Sequence, residues 1–372
     1  MTACRGLSTD PALESRRAQL TLPDAALATE LAYGVLRRRA QLDLLLLQAY
    51  GKTKLPPDPE VLTALRLGAY QLRFLTRIPP HAAVSESVEI VKRHGKRSAA
   101  GLVNALLRKL PPLPEHWPDA PTRLSIPAWI LARWSEAWGR QAAESAALAA
   151  LTPPVTYIRP GSRFDRIHTL EQTDVPGCYR LSGPLPPACR IQDIGSQWVA
   201  SLLEVQPGHA VLDLCAAPGN KTAQLLEASP RIAVACDASP RRLHSMARSG
   251  HASAARLLRL DATQPLPFGR VFDRILVDAP CSGTGTLARN PDIKWRLAPD
   301  DILRHAARQT LILAKALACL KPGGRLVYST CSIEHEEYAE VIARSASGYS
   351  VQSFTRLPGR DPGDGFQAAV IT

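Results

Sequence analysis

The chain has 372 residues, of which 45% are hydrophobic, so it can bury a large core and form two or three domains. Its eight cysteines show no CxxC pair and no apolar run approaches the ~20 residues that span a bilayer, which argues against disulfide-rich, structural-zinc and membrane-spanning proteins. A net charge of +12 and a pI near 9.6 favour a polyanionic partner, with a basic but unspecialised surface as the alternative. Because the N-terminal stretch also lacks the apolar core of a secretory signal, we expect a cytoplasmic protein with no metal site.

The first part of the chain, residues 1–118, is predicted to be an all-helical domain. Apolar residues recur at helical spacing in three runs, and prolines that cannot continue a helix separate the runs. Residues 1–110 hold seventeen Lys or Arg against nine Asp or Glu, so this part carries most of the excess positive charge. The three runs are Leu27, Leu31 and Val35; Leu62, Leu65, Ala69 and Leu72; and Val84, Val88 and Val91.

The second part, residues 119–190, is predicted to be a small α+β connector. It follows the linker-like "PPLPEHWPDAP" and contains one helix, "PAWILARWSEAWGRQAAESAALAAL", before strand-like pieces such as "VTYIRP" and "GCYRLSG". Trp134 and Trp138 lie one turn apart in this helix. Packing against neighbouring elements is the favoured interpretation of this pair, and stacking on bases is the alternative.

The third part, residues 191–372, alternates short apolar strands with helical segments. Such near-continuous apolar strands predict a parallel sheet covered by helices on both faces, an α/β Rossmann-like domain. Ligands of such sheets bind beyond the carboxyl ends of the strands. The predicted strands lie in "AVLDLCA", "RIAVACDAS", "ARLLRLDAT", "DRILVDAPC", "GRLVYSTC" and, at the end of the chain, "DGFQAAVIT".

The strand ends of this third part carry a turn and three acids that suit a nucleoside. In "VLDLCAAPGNKTAQLL" small residues lie between a strand and a helix, and Asp237 ends the next strand eighteen residues after Gly219. Asp261 and Asp278 end two further strands, so the three acids predict a polar rim over one crevice. The absence of GxGxxG and of GxxxxGK[ST] argues against dinucleotide and triphosphate binding.

Several motifs resemble a known family. "DLCAAPGNKT", "DAPCSGTG", "NPDIKW", "KPGGRLVYSTCS" and "GDGF" resemble the signatures of the NOL1/NOP2/Sun family of RNA 5-methylcytosine methyltransferases, and "RIPPHAAVSESVEIVK" and "GLVNALLRKL" resemble the RNA-binding NusB-like domain. The resemblance covers nearly the whole chain and implies a class I methyltransferase domain behind a NusB-like domain. It implies S-adenosylmethionine as cofactor and bacterial 16S ribosomal RNA as substrate. We also expect a monomer.

The resemblance also implies the cofactor-binding residues. One departure is Asn220, where the family usually has a second glycine; Asn tolerates a positive φ better than other non-glycine residues, so we expect the turn to be kept. The implied residues are Cys215, Ala216, Ala217, Pro218, Gly219, Asn220, Lys221, Asp237, Asp261 and Asp278.

Two cysteines at strand ends suit the chemistry of cytosine. A thiolate that adds to carbon 6 makes carbon 5 nucleophilic, and a second group must then help to remove a proton or release the product. By resemblance Cys331 of Thr-Cys is the nucleophile, Cys281 of Pro-Cys assists release, and Asp278 hydrogen-bonds the cytosine edge. A free thiol has a pKa of about 8.5, so an electropositive neighbour is needed, for which Lys221 and Lys294 are candidates.

Positive clusters indicate where RNA binds. "LRRRAQ" (36–41) and "VKRHGKRSAAG" (91–101) can position phosphates without reading sequence, although a solvated helix face is the alternative for each. Arg289, Lys294 and Arg296 follow the Pro-Cys motif and are predicted to touch the substrate strand. Because the cytosine must be unstacked to meet a thiol, a loop or an open stem is the expected target.

Other functions remain open from the sequence. The main alternative is a non-catalytic RNA-binding factor with a vestigial methyltransferase fold, against which the intact cysteine pair argues. Methylation of another RNA such as tRNA is a second alternative. DNA cytosine methylation is disfavoured by the NusB-like helices and the Thr-Cys motif, and a dehydrogenase by the lack of GxGxxG.

Overall fold

The computed structural model describes residues 19–161, 170–250 and 252–372. These residues form two compact units. The first, called here the helical unit, contains the described residues up to Thr152 together with Leu287–Arg296. The second, called the sheet unit, contains the described residues of Pro153–Thr286 and Leu297–Thr372. The division into folding domains at residues 118 and 190 stays a prediction.

The helical unit confirms the predicted all-helical fold. Asp58 shows why one helix begins where it does, since its carboxylate accepts hydrogen bonds from the N–H groups of Glu60 (3.0 Å) and Val61 (3.2 Å) before the helix Pro59–Phe74. Leu42, Leu46 and Leu65 are fully buried in the core. The helices of residues 19–123 are α1 (Leu22–Arg37), α2 (Arg39–Tyr50), α3 (Pro59–Phe74), α4 (Pro80–Arg93), α5 (Ala100–Arg108) and α6 (Ala120–Arg123).

The prediction of one continuous helix between residues 127 and 151 is wrong, because this stretch forms two helices. They are α7 (Ala128–Trp138) and α8 (Arg140–Ala149), and Gly139 separates them with a φ of 81°. Glycine adopts such a positive φ without steric cost, and this conformation ends a right-handed helix. Trp134 is only 1% exposed, which confirms packing for this tryptophan.

A segment from the third part of the sequence packs among the helices of the first. This segment contains the short helix α12 (Ile293–Arg296). The indole N–H of Trp295 donates to the carbonyl of Leu36 (2.6 Å), and Lys294 Nζ donates to the carbonyl of Arg37 (3.0 Å). Arg37 in turn donates to the carbonyl of Ala288 (3.0 Å) and is only 5% exposed. Arg37 of the "LRRRAQ" cluster is therefore buried, so the whole cluster is neither a solvated helix face nor a surface for phosphates.

The sheet unit begins with a small antiparallel sheet in the order β2-β3-β1-β4. Its strands are β1 (Tyr157–Pro160), β2 (Glu171–Gln172), β3 (Tyr179–Arg180) and β4 (Cys189–Ile191). β1 and β3 lie in the two pieces that the sequence predicted as strands. Arg159 on β1 and Arg190 on β4 both bind Glu227 (2.6 Å each), which attaches the small sheet to the rest of the unit.

The large sheet has seven strands in the order β10-β11-β9-β8-β5-β6-β7. The five strands from β5 to β9 are parallel, whereas β11 pairs antiparallel with both β9 and β10. This arrangement confirms the Rossmann-like methyltransferase fold. The strands are β5 (Ala210–Leu214), β6 (Ile232–Asp237), β7 (Arg256–Arg259), β8 (Phe272–Asp278), β9 (Leu320–Thr330), β10 (Val351–Arg356) and β11 (Phe366–Ile371).

Helices flank this sheet, and all six predicted strands of the third part are present. The edge strand β10 was not predicted, since its sequence VQSFTR is mostly polar and exposed. The helices are α9 (Ile194–Ser201), α10 (Asn220–Leu226), α11 (Pro240–Ser249), α13 (Pro299–Leu317) and α14 (Ala339–Ser345). Within the described ranges, none of the helices has the length and apolarity that crossing a membrane requires.

Candidate active site

The turn between β5 and α10 lies at the carboxyl end of the central strand. The N–H of Ala216 donates to the carbonyl of Cys236 (2.8 Å), which ties the turn to the neighbouring strand β6. The positive φ values of this turn fall on Cys215, at 64°, and Gly219, at 105°, while Asn220 is the first residue of the right-handed helix α10. Asn220 therefore needs no positive φ. Its side-chain amide instead donates to the carbonyl of Ile191 (3.3 Å), next to the small sheet.

A cavity lies over this turn, and seven of the predicted cofactor-binding residues line it. Ser196 and Asp213 also line the cavity and were not predicted. Both precede the Gly-containing turn, on α9 and β5. The predicted residues in its wall are Cys215, Ala216, Ala217, Pro218, Asn220, Lys221 and Asp278.

Asp213 is a buried acceptor with unused capacity. Its Oδ2 accepts the hydroxyl of Thr222 (2.6 Å), whereas its Oδ1 accepts no hydrogen bond from any described residue. Burial raises the pKa of Asp213 to about 7, and the nearby carboxylates of Asp278 and Asp237 act in the same direction. Because a buried acceptor without a donor is costly, this oxygen suits a ligand that brings an amino group into the cavity. The amino-acid end of S-adenosylmethionine is such a ligand, so the residues present fit this cofactor.

Two further predicted acids lie at neighbouring strand ends, where their carboxylates accept hydrogen bonds from nearby loop residues. Asp237 ends β6 and accepts from the N–H groups of Ser239 (2.8 Å) and Ala217 (3.3 Å), with Arg242 Nη1 at 3.3 Å. Asp261 follows β7, where hydrogen bonds from the backbone and side chain of Thr263 lower its pKa. The three acids at the ends of β6, β7 and β8 therefore lie along one edge of the sheet.

The two cysteines lie together beyond the ends of β8 and β9. These parallel strands are neighbours, and Asp278 pairs with Ser329 in register, so the residues that follow them emerge side by side. The distance between Cys281 Sγ and Cys331 Sγ is 3.2 Å. The hydrogen bond with Cys331 and burial raise the pKa of Cys281 well above its usual value, together with the charges of Cys331 and Glu337.

An ion pair accompanies the cysteines. Lys221 Nζ lies 2.7 Å from Asp278 Oδ2, and the hydroxyl of Ser329 donates to Asp278 Oδ1 (2.9 Å). Burial lowers the pKa of Lys221, but the charge and hydrogen bond of Asp278, with the charge of Cys331, outweigh burial and raise it overall. Lys221 therefore carries a positive charge that interacts with Cys331. Lys294, the other candidate, is only 1% exposed and packs in the helical unit, which also contradicts its predicted contact with the substrate strand.

Two glycines allow the loops of this site to approach each other. The N–H of Gly285 donates to the carbonyl of Cys331 (2.9 Å), and the N–H of Gly365 donates to the carbonyl of Gly285 (2.7 Å). A Cβ on Gly285 would lie 2.4 Å from the oxygen of Gly365, so a side chain would separate the loops.

Sequence reasoning missed Glu337, which is fully buried beneath the cysteines. Its place in "STCSIEHEE", six residues after Cys331, was the available signal.

The order of the sheet, the turn after β5 and the acids at the strand ends define the class of S-adenosylmethionine-dependent methyltransferases. Residues 200–369 match the model of a family described as 16S rRNA methyltransferase RsmB/F, and residues 5–111 match that of the NusB family. The chain is 32% identical to ribosomal RNA small subunit methyltransferase B of Cronobacter sakazakii, over 97% of this chain and 94% of the relative. The chain thus belongs to the RsmB/F family of 16S rRNA methyltransferases, with S-adenosylmethionine as cofactor and ribosomal RNA as substrate.

Solved structures share this fold. The crystal structure of PH0851 has a TM-score of 0.78 at 22% identity and covers 94% of this chain and 90% of its own. NSun6 from Pyrococcus horikoshii, whose crystal structure was determined with SFG, has a TM-score of 0.58 at 17% identity, over 66% of this chain and 97% of its own. These likenesses show the fold.

Proposed function

We propose that the protein methylates carbon 5 of a cytosine in 16S ribosomal RNA through a covalent adduct between Cys331 and the base. The observation that carries this proposal is the 3.2 Å separation of Cys281 Sγ and Cys331 Sγ, at the strand ends beside the cofactor cavity. A carbon nucleophile must be generated from an aromatic ring in this reaction, and thiolate addition to carbon 6 is a direct way to generate it.

The cofactor-binding residues orient the methyl donor. When bound, S-adenosylmethionine supplies an electrophilic methyl group on its sulfonium. The turn from Cys215 to Lys221 would hold its amino-acid end together with Asp213, and Asp237 would hold the ribose. Asp261, at the end of the next strand, closes the nucleoside side of the site.

The remaining residues act on the cytosine. Lys221 stabilises the thiolate of Cys331, whose sulfur bonds to carbon 6 of the base. Asp278 keeps 29% of its side chain exposed and hydrogen-bonds the cytosine edge, which favours electron flow into the ring. A water molecule takes the carbon 5 proton, the electron pair of that C–H bond re-forms the ring double bond, and the bond from sulfur to carbon 6 breaks. Cys281 assists release by donating a hydrogen bond to the departing Cys331 sulfur.

The test is transfer of a labelled methyl group to 16S ribosomal RNA, followed by nucleoside analysis. We expect 5-methylcytosine from the wild type, none from Cys331→Ala, and a stable covalent complex of protein and RNA from Cys281→Ala. Cys189→Ala is the matched control, because Cys189 lies on β4 in the small sheet, and it should methylate as the wild type does. If Cys281→Ala instead forms no complex while Cys331→Ala does, the two roles are reversed.

Nucleoside analysis also separates the alternatives. A protein that binds 16S ribosomal RNA and transfers no methyl group to any RNA would be the non-catalytic factor, and one that labels only tRNA would have another substrate. We further propose that the chain acts as a monomer in the cytoplasm, where its ribosomal RNA substrate is made. Light scattering of the purified protein checks the monomer, since a dimer would double the measured mass.

A further inference from the structure

Beneath the two cysteines lies a buried cluster that we call the serine clamp: Ser282, Ser332, Thr284 and Glu337. Each serine directly follows one of the cysteines, and the hydroxyl oxygens of Ser282 and Ser332 are 3.1 Å apart, within hydrogen-bond distance. The hydroxyls of Thr284 and Ser332 are 3.2 Å apart. None of the four residues is more than 6% exposed. The clamp thus joins the loop of Cys281 to the loop of Cys331 by side-chain hydrogen bonds.

Glu337 is the charged member of the clamp. Its Oε1 accepts the backbone N–H of Ser282 (2.8 Å) and its Oε2 accepts the Ser282 hydroxyl (2.5 Å). Gln309 donates both to Glu337 Oε1 (3.2 Å) and to the carbonyl of Pro280 (2.9 Å), so the residues on both sides of Cys281 are held. The backbone carbonyl of Glu337 is itself fixed by the hydroxyl of Tyr328 (2.7 Å).

No cation compensates this carboxylate among the described residues. The three donors to it are neutral, and Glu337 is fully buried. A buried carboxylate without a counter-ion is costly for stability, and well-placed hydrogen bonds offset only part of that cost. Such a group is therefore a candidate for a role in the reaction rather than in folding.

The charges around the two thiols differ in sign. The hydrogen bond with Cys331, burial and the charges of Cys331 and Glu337 raise the pKa of Cys281, and no cation among the described residues pairs with the Glu337 carboxylate. Lys221 interacts with Cys331 and is itself paired with Asp278. Negative charge is thus disfavoured on Cys281.

We propose that Glu337 is a positioning residue that gives the two cysteines different roles. It holds the loop of Cys281 against Cys331 through Ser282, and its charge helps to keep Cys281 as a thiol. The roles in catalysis rest on the proposed function, whereas the protonation of Cys281 does not. Glu337 touches neither substrate nor cofactor and acts through the cysteines.

The experiment measures alkylation of each cysteine by iodoacetamide between pH 6 and pH 10 in the full-length protein, with mass spectrometry of the peptides. Only thiolates react, so the rate reports the ionised fraction of each cysteine. We expect Glu337→Gln to speed alkylation of Cys281 about tenfold at pH 8, the effect of lowering its pKa by about one unit, and to leave Cys331 unchanged or slower. Glu340→Gln, on the exposed side of α14 where Glu340 pairs with Arg344, is the matched control and should behave as the wild type.

A second variant guards against a loss of folding. Glu337→Asp keeps the charge but withdraws it from Ser282, so its Cys281 rate should lie between those of the wild type and Glu337→Gln. Unchanged Cys281 profiles in both variants, or equal acceleration of both cysteines, would overturn the proposal. The alkylation measurement uses no RNA. If the wild type forms no 5-methylcytosine but Glu337→Gln still speeds alkylation of Cys281, only the proposed function is contradicted.

Discussion

Each of the two units buries a lysine, and the two lysines differ in their partners. In the sheet unit, the side chain of Lys221 is 12% exposed and its ammonium lies 2.7 Å from a carboxylate oxygen of Asp278. In the helical unit, Lys294 is 1% exposed and donates to the backbone carbonyl of Arg37. Burial, together with the charges of Arg37 and Arg38, lowers the pKa of Lys294 to about 7. That of Lys221 is raised, because Asp278 outweighs burial.

The comparison teaches that burial alone does not decide whether an amine is charged. Desolvation disfavours the ammonium in both places, and only a nearby negative charge restores it. Lys221 therefore keeps a charge that can act on a thiol. Lys294 instead uses its long side chain and one hydrogen bond to pack the segment Leu287–Arg296 against α1. The same residue type keeps its charge through an ion pair in one unit and serves packing in the other.

The largest expected effect comes from removing the paired lysine. Lys221→Met should lower the rate of methyl transfer to 16S ribosomal RNA by about 10²-fold to 10³-fold, the usual effect of losing one preorganised charged group from an active site. Single-turnover transfer of labelled methyl groups measures this rate. Lys294→Met is the matched control and should stay within about threefold of the wild type. Equal losses in both variants would break the comparison.

The second prediction concerns the pH dependence of stability. The folded-state pKa of Lys294 lies below its unfolded value of 10.5, so between about pH 7 and pH 10 the unfolded chain binds more protons than the folded one. The free energy of unfolding of the wild type should therefore rise with pH relative to Lys294→Met, by about 2 kcal/mol from pH 7 to pH 9. Urea unfolding at several pH values measures this difference. A difference that stays constant with pH would mean that Lys294 remains charged when folded.

The smallest expected effect concerns Asp213, a buried acid. Asp278 pairs with Lys221, whereas Asp213 pairs with no lysine or arginine among the described residues. Burial raises its pKa to about 7, so its carboxylate forms as the pH rises through that value. We expect the affinity for S-adenosylmethionine to increase with pH between 6 and 8 and to fall about tenfold in Asp213→Asn, as the loss of one charged hydrogen bond predicts. Calorimetric titration at both pH values measures this affinity. Thr222→Val, which removes only the hydroxyl that donates to Oδ2, should keep the pH dependence; if it abolishes that dependence, Asp213 does not act through the ligand.

The sequence by itself determined the architecture and the strand ends at which the candidate site lies. Helical spacing of leucines and valines predicted the helical unit, and apolar strands ending in Asp237, Asp261 and Asp278 predicted the edge of the sheet at which they lie. These predictions succeeded because periodicity is a local property, and because parallel strands bring their carboxyl ends to the same edge. The motifs of the two cysteines pointed to neighbouring strand ends for the same reason.

Only the tertiary structure decided which groups are partners. Lys221 and Lys294 look alike in the sequence, and the difference between them comes from Asp278 and Arg37, 57 and 257 residues away along the chain. The carboxylate of Glu337 likewise meets Ser282 across 55 residues. Hydrogen bonds and charges act over a few ångströms, so their energies depend on contacts that the chain makes only after folding.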